Sequence, residues 1–392
     1  MSKLYIKGGR RLDGTLRVQG AKNSILPILA ASVLTAGNTV IENCPDISDT
    51  ATAVEILKCL GCGVSRQSGV ITVSSDNVDN FGIEEALMRK MRSSIVFLGA
   101  MLSRAGEARI SMPGGCELGP RPIDLHIDAL SRMGAVFEDK RGYLECKCPD
   151  GLRGAEIHLR FPSVGATENI MLAAVTAKGT TVITNAAREP EIDDLSSLLR
   201  DMGAKIGTDG GNIVIEGVKR LYPVVHTVIP DRIVASTYLA AIAATGGKGK
   251  LIGANPLHFS SVIAALSDAG ADVRWTKDTV TVKTDGRLKG VRNIRTMPYP
   301  GFPTDAQAPL MALMTTAKGD SVFVETIFEN RFKHVNELIR MGARITVNDR
   351  VAVVEGVDKL QCSSVECTDL RGGAALAVAA LSADGLTVID NV

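Results

Sequence analysis

The stretch Gly179-Thr-Thr-Val-Ile-Thr-Asn185 has five counterparts in this chain. They are Gly37-Asn-Thr-Val-Ile-Glu-Asn43, Gly106-Glu-Ala-Arg-Ile-Ser111, Gly249-Lys-Leu-Ile-Gly-Ala-Asn255, Gly319-Asp-Ser-Val-Phe-Val-Glu325 and Gly385-Leu-Thr-Val-Ile-Asp-Asn391. The copies recur at intervals of about 70 residues, and each reads as a turn glycine followed by a short β-rich strand. A second phrase follows five of the six, at Leu60-Gly61, Met133-Gly134, Met202-Gly203, Ala269-Gly270 and Met341-Gly342, where the glycine suits the end of a helix. The helices closed by these glycines have amphipathic spacing: Ile47, Ala51, Val54, Leu57 and Leu60 form one stripe, and Ile192, Leu195, Leu199 and Met202 another. Pro190 suits the first turn of the latter helix. A different helix precedes each strand phrase. Residues 24–34, 92–103, 166–177, 232–243, 305–317 and 371–382 are apolar almost all round, the pattern of buried helices. Six units of alternating helix and strand make an α/β protein with helices enclosed by sheet.

Stepping back from each turn glycine by one buried-helix length reaches Lys22, Arg92, Gly165, Asp305 and Arg371, and the fourth helix begins at Asp231-Arg232. Four of these six helices start with a cation. The positive end of a helix disfavours a cation by roughly 0.3–1 kcal/mol, so something anionic must balance it. Helix N-termini combined with Lys and Arg make a strong site for phosphate or carboxylate groups; the alternative is pairing with local acids such as Asp231 or Asp369. Asp305, in Phe302-Pro-Thr-Asp305, is the exception in sign. It reads either as an ordinary first-turn acid or as a general base among bound anions.

One loop stands out chemically. Met112-Pro-Gly-Gly-Cys116-Glu-Leu-Gly-Pro-Arg121-Pro122 places a thiol on a segment built from glycine and proline, with an arginine nearby that favours thiolate and attracts anions. It reads as a reactive lid or as a surface loop with an incidental cysteine.

A chain of 392 residues exceeds one ordinary core, which points to two domains. Its 45% apolar and 22% charged residues have the balance of a globular protein rather than a disordered one. The start, Met-Ser-Lys-Leu-Tyr-Ile-Lys, lacks an apolar stretch of signal-peptide length, and Ile25 to Leu34 is far short of a membrane span, so the expected compartment is the cytoplasm. The eight scattered cysteines then read as reduced thiols, and Cys59-Leu-Gly-Cys62 has no second pair to complete a zinc site. A net charge of +1 gives no global reason to expect nucleic acid.

Several segments together resemble the UDP-N-acetylglucosamine 1-carboxyvinyltransferases, enolpyruvyl transferases of the EPSP synthase family. They are Gly20-Ala-Lys22-Asn23-Ser24, Lys90-Met-Arg92, the Pro113 to His126 run, Ser163-Val-Gly165-Ala-Thr167, Asn185-Ala-Ala-Arg-Glu189-Pro-Glu191, Pro230-Asp231-Arg232, Phe302-Pro-Thr-Asp305, Phe328-Glu-Asn-Arg331 and Thr368-Asp369-Leu-Arg371. The resemblance runs the length of the chain. It implies a two-domain inverse α/β barrel of six βαβαββ units with the active site in the cleft between the domains. One domain is 21–229, and the other is discontinuous, 1–20 with 230–392. The resemblance assigns Lys22, Asn23 and Arg121 to phosphoenolpyruvate, and Cys116 to a lid that acts as general acid and can form a covalent adduct. The sugar nucleotide, UDP-N-acetylglucosamine, falls to Arg92, to Arg121, Pro122, Ile123, Asp124 and Leu125, to Phe161, Pro162, Ser163, Val164 and Gly165, and to Asp305 and Ile327. Arg331, Asp369 and Arg371 join the substrate-binding set. Asp305 is then the base for the sugar 3′-hydroxyl, Lys22 shares the catalytic role, and no metal or redox cofactor is implied.

Three other readings compete. A shikimate-pathway enolpyruvyl transferase shares the fold but has no use for a lid thiol. A catalytically impaired paralogue would bind the sugar nucleotide without turnover. RNA-end processing on a similar repeat would need a basic stripe and stacking aromatics, against the 4% aromatic content here. The sixth strand phrase lacks a following glycine-capped helix, so the sequence predicts an incomplete sixth unit without its amphipathic helix and closing strand, and uncovered apolar surface in the 230–392 domain; the resemblance implies in addition the loss of a family arginine beyond Val392.

Overall fold

The computed structural model describes residues 2–111, 123–140 and 142–392. These divide into two compact units, one holding the chain up to Val18 and from Pro230 onward, the other running from Gln19 to Ile229. Each unit carries three sheets.

The strand Thr180–Thr184 shows the plan. It runs parallel to Glu156–His158 and antiparallel to Asn212–Glu216, with Lys205–Asp209 outside. Thr181 and Ile183 point inward and their neighbours do not, the period-two alternation of a sheet covered on one face. Ile183 lies opposite Ile157 on one side and Ile213 on the other, so the register puts three branched residues in one row beneath the buried helix. The strands Asn38–Glu42, Lys248–Ile252 and Asp320–Val324 repeat this order.

In the unit from Gln19 to Ile229 the buried helices are Lys22–Ala31, Phe97–Ala105 and Val164–Ala174, and the middle one packs on both others. In the second unit Arg232–Ala244, Thr304–Met314 and Leu370–Ser382 pack on one another. The amphipathic helices Ser48–Cys59, Asp124–Arg132, Pro190–Asp201, Ser260–Asp268 and Val335–Arg340 complete the units. Their closing glycines 61, 134, 203, 270 and 342 all have φ between 90 and 100°, the left-handed geometry of a helix C-terminus. Ile192, Leu195, Leu199 and Met202 are buried as their stripe predicts. The stripe in the first unit is rotated: Ala51 is exposed, while Ala53 and Ile56 are buried beside Val54, Leu57 and Leu60. In the fourth unit the turn glycine is Gly246, with φ 68°, and Gly249 lies inside the strand.

The sixth sheet corrects an expectation. Strand Leu386–Asp390 is not left without an antiparallel neighbour, because Lys3–Lys7 takes that place, with Tyr5 opposite Val388. The equivalence extends past the strand. Gly8 N donates to Gly385 O at 3.1 Å, as Gly217 N does to Gly179 O at 3.0 Å and Gly356 N to Gly319 O at 3.3 Å. The next amide in each unit reaches back to the buried helix, Gly9 N to Leu381 O, Val218 N to Val175 O and Val357 N to Thr315 O. The first strand of the chain is therefore the inner hairpin strand of the sixth unit. Ion pairing of Lys3 with Asp390 at 2.7 Å adds to the seam.

Candidate active site

In the unit that begins again at Pro230, three helix N-termini bring charge together. Asp231 caps the helix Arg232–Ala244 by accepting from Ile233 N and Val234 N at 2.8 and 3.0 Å. Asp369 does the same for Leu370–Ser382, accepting from Arg371 N and Gly372 N at 3.0 Å each. These two acids thus serve as caps, and the cation beside one of them turns elsewhere. Arg371 Nη2 reaches Asp305 Oδ2 at 2.8 Å, and Arg331 Nη2 reaches Asp305 Oδ1 at 2.7 Å. The Arg331 side chain is 2% exposed, that of Arg371 13% and that of Asp305 26%, so the carboxylate is the group that solvent can reach. Burial pushes the Asp305 carboxyl up, but the charges of Arg371, Arg331 and Arg232 together outweigh it and hold the group well below its usual 3.8. The same contact raises Arg371: burial opposes its charge, and Asp305 and Asp231 more than restore it. Beside this cluster His334 is fully buried. Burial lowers its imidazole to about 4, against the pull of Asp369, so it is neutral at pH 7.

Glu325, 1% exposed, connects the pieces. Its Oε1 accepts from Thr296 Oγ1 at 2.9 Å, Ile327 N at 2.7 Å and Phe328 N at 3.0 Å, and its Oε2 accepts from Thr304 Oγ1 at 2.9 Å. One carboxylate thereby fixes the backbone at Ile327 and the first residue of the helix that carries Asp305. Arg331 adds a bond to Thr304 O at 3.2 Å. Glu325 was not singled out in the sequence. Its signal is an acid one residue past the strand Asp320–Val324, where the alternation of inward-facing positions continues and an apolar residue is expected.

The unit from Gln19 to Ile229 holds the other predicted residues. Lys22 opens its helix and pairs with Asp49 Oδ2 at 2.9 Å, and Asn23 follows, half-buried. The runs Ile123–Leu125 and Phe161–Gly165 come side by side. Asp124 is ion-paired to Arg160, Ser163 caps the helix Val164–Ala174 through Ala166 N, and a Cβ on Gly165 would stand 3.3 Å from His126. His126 is held in turn by Asn169 at 2.7 Å, whose other contacts are Gly99 N and Ile95 O. Phe161 is exposed and Pro162, Ser163, Val164 and Gly165 are partly so, which leaves this edge open to a ligand. Glu168, one turn further, is 6% exposed; burial, then Glu191 and Glu189, push its carboxyl well above the usual value. It too was missed by sequence reasoning, since a lone acid in a buried helix has no motif.

Cys116, Arg121 and Pro122 lie outside the described residues, and Arg92 is described by its backbone alone, where it opens the 3-10 turn Arg92–Val96. The CxxC pair has separate partners: Cys59 Sγ faces Gly82 O and Cys62 Sγ faces Ser75 Oγ. Among the described residues no group of three or more His, Cys, Asp or Glu could hold a metal ion. No helix there is long and apolar enough to cross a membrane.

Comparison with known proteins gives the family. The family described as EPSP synthase (3-phosphoshikimate 1-carboxyvinyltransferase) matches residues 6–392. UDP-N-acetylglucosamine 1-carboxyvinyltransferase 2 of Caldanaerobacter subterraneus subsp. tengcongensis is 50% identical over 392 residues, covering 100% of this chain and 94% of its own. UDP-N-acetylglucosamine 1-carboxyvinyltransferase 1 of Symbiobacterium thermophilum is also 50% identical, over 100% of this chain and 90% of its own. Among solved structures, the enolpyruvyl transferase NikO from Streptomyces tendae superposes with a TM-score of 0.89 at 27% identity, over 99% of this chain and 92% of its own. The family match over residues 6–392 and half-identity to these relatives over its whole length show that the chain belongs to the EPSP synthase family, among the UDP-N-acetylglucosamine 1-carboxyvinyltransferases.

Proposed function

We propose that the protein transfers the enolpyruvyl group of phosphoenolpyruvate to the 3′-hydroxyl of UDP-N-acetylglucosamine, releasing phosphate, as the committed step of peptidoglycan synthesis in the cytoplasm. The observation that carries this is the full-length identity to relatives of that name, and the chemistry of Asp305 supports it. In the first step the sugar oxygen bonds to C2 of phosphoenolpyruvate while a proton adds to C3, making a tetrahedral intermediate. In the second, the C2–O bond to phosphate breaks and C3 returns a proton, leaving the enol ether and inorganic phosphate. Asp305 accepts the hydroxyl proton. It is ionised at any working pH, but the two arginines make it a weak base. An anionic substrate that draws Arg371 or Arg331 to itself strengthens that base as it binds, which couples occupancy of the site to proton transfer. Lys22, Asn23 and Arg121 hold the phosphoenolpyruvate, Cys116 protonates C3, and the Asp124 and Phe161–Gly165 edge, with Arg92 and Ile327, takes the sugar nucleotide.

Phosphate release from phosphoenolpyruvate tests the reading. It is expected to depend on UDP-N-acetylglucosamine and not on shikimate 3-phosphate; release with the latter alone overturns the assignment of acceptor. A sugar nucleotide that binds without release identifies the impaired paralogue instead.

The thiols provide a second test. Burial raises Cys44 to about 11 and Cys146 to about 12, and Cys62 and Cys148 are raised for the same reason, so these four are poor nucleophiles. An epoxide phosphonate such as fosfomycin is expected to label Cys116, faster with UDP-N-acetylglucosamine present. Peptide mapping that finds the adduct on any of the other seven cysteines removes Cys116 from the mechanism.

A further inference from the structure

The helix that presents Lys22 and Asn23 is poorly secured by its own residues. Its cap position is Ala21, which has no side-chain acceptor, and its first turn contains no acid. Pro27 lies inside it, and because proline has no N–H, the carbonyl of Asn23 loses the donor four residues on. What holds the turn comes from elsewhere in the same unit. Ser24 Oγ donates to Asp194 Oδ2, a carboxylate from the middle of helix Pro190–Asp201. The same oxygen accepts from Ile229 N at 3.3 Å, and Ile229 O accepts from Ala21 N at 2.8 Å. Ala21 and Ser24, the residues on either side of Lys22 and Asn23, are therefore tied to one partner group.

The other carboxylate oxygen of Asp194 lies 3.0 Å from His226 Nε2, on strand Val225–Thr227. Ser24, Asp194 and His226 are 0, 5 and 7% exposed, so Asp194 is a buried polar group whose desolvation these contacts offset. Rotation of the carboxylate would break the bonds to Ser24 and Ile229 together, and the contact with His226 on the other oxygen opposes it. From this we infer that Asp194 and His226 form a positioning couple for Lys22 and Asn23, setting how well the chain grips the anionic enolpyruvyl donor and leaving its grip on the sugar nucleotide unchanged. The inference rests on the reading of Lys22 as a phosphoenolpyruvate ligand.

Steady-state kinetics of a variant set test it. His226→Leu is expected to raise KM for phosphoenolpyruvate about tenfold, the scale of effect when a binding group is misplaced by a fraction of an ångström, with KM for UDP-N-acetylglucosamine within about twofold. His226→Gln, whose amide can donate from nearly the same place, is expected to recover most of that loss. Ser24→Ala removes a single tether bond, keeps the buried carboxylate paired with His226, and is expected to shift the same KM alone. In a Lys22→Ala background His226→Leu is expected to add less than it does alone, since of the two placed ligands only Asn23 is left. Equal rises in both KM values, failure of His226→Gln to recover, or full additivity with Lys22→Ala each overturn the couple and leave a merely structural role. Lys22→Ala alone separates the two readings. An unchanged KM for phosphoenolpyruvate in that variant overturns the ligand role of Lys22. A raised KM there, combined with a parent-like His226→Leu, overturns the tether.

Discussion

Asp305→Ala is expected to lower kcat by about 10²–10⁴-fold, the range that a positioned general base supplies, while phosphoenolpyruvate binds at least as tightly as before. The second half of that expectation comes from the arginines. Asp305 is the acceptor for both Arg331 and Arg371, and without it two guanidinium groups on buried stems face the site with no carboxylate between them. Anionic ligands gain what Asp305 gives up. For the same reason the unliganded variant loses stability. Removing one partner of a fully buried pair costs about 3–5 kcal/mol, and the partial exposure of Asp305 brings the expected loss to the lower end, roughly 3 kcal/mol. Thermal unfolding with and without inorganic phosphate checks this: phosphate is expected to stabilise Asp305→Ala more than the parent. A variant with unchanged kcat removes Asp305 from the chemistry, and one with weaker anion binding shows that the carboxylate, not the arginines, organises the site.

The sign of the pH dependence follows from the same contacts. Because the carboxyl of Asp305 is held below its usual value, its ionised form contributes stability above about pH 4, and that contribution is lost as pH falls through the lower folded value. The base is therefore charged throughout the neutral range. Arg371→Met removes the largest single attraction and leaves burial, which acts in the opposite direction, less opposed. The acid limb of kcat is expected to move to higher pH in that variant, and the limb of Arg331→Met to move the same way.

What could be read without coordinates was whatever repeats. The strand phrase, the helix-closing glycines and the all-apolar helices each occur five or six times, and repetition separates a structural signal from chance spacing. The stripe in Ser48–Cys59 shows the limit. Ile47, Ala51 and Val54 match helical periodicity, yet the packed face runs through Ala53 and Ile56, because the neighbouring helix Lys22–Ala31 decides which side is covered. At the candidate site, the residue types at helix starts were legible and their partners were not. The sequence offers Asp231 and Asp369 as neighbours for the cations; the fold uses both as caps, keeps Asp231 near enough to raise Arg371, and brings Asp305 to Arg371 from 66 positions away. Glu325, Glu168 and Asp194 were invisible for a related reason: each acts through contacts that only the tertiary fold creates. The same holds for the first strand. Lys-Leu-Tyr-Ile-Lys-Gly-Gly resembles the hairpin phrases before Gly217 and Gly356, but nothing local says that it completes a sheet whose other strands lie more than 350 residues away.

Gly8→Ala is expected to be among the most destabilising single methyl additions in the chain, and it tests that sheet directly. A Cβ at Gly8 would overlap the carbonyl oxygens of both Ala380 and Ala383 and stand 3.1 Å from Leu381 O. All three are backbone atoms at the end of helix Leu370–Ser382, so no side chain can rotate away to make room. Overpacking against movable neighbours costs about 1–3 kcal/mol; against backbone the expected loss is at the top of that range, about 3 kcal/mol. Gly217 and Gly356 meet Ala177 O and Ala317 O in the same way, and their alanine variants are expected to behave alike. Gly207 supplies the control. A Cβ there meets nothing within 4 Å, and Gly207→Ala is expected to stay within about 0.5 kcal/mol of the parent or gain slightly from reduced chain entropy. Urea denaturation measures the magnitudes, and amide hydrogen exchange locates them. In Gly8→Ala the protection of Lys3–Lys7 and Leu386–Asp390 is expected to fall while that of Thr180–Thr184 is unchanged. The helix strained by the methyl group is the one whose first turn carries Arg371, so KM for phosphoenolpyruvate is expected to rise with the loss of protection. Retained protection at Leu386–Asp390 with an unchanged urea midpoint would mean that the strand Lys3–Lys7 does not seat that helix, and the sixth unit would then have to be held by contacts within residues 364–392 alone.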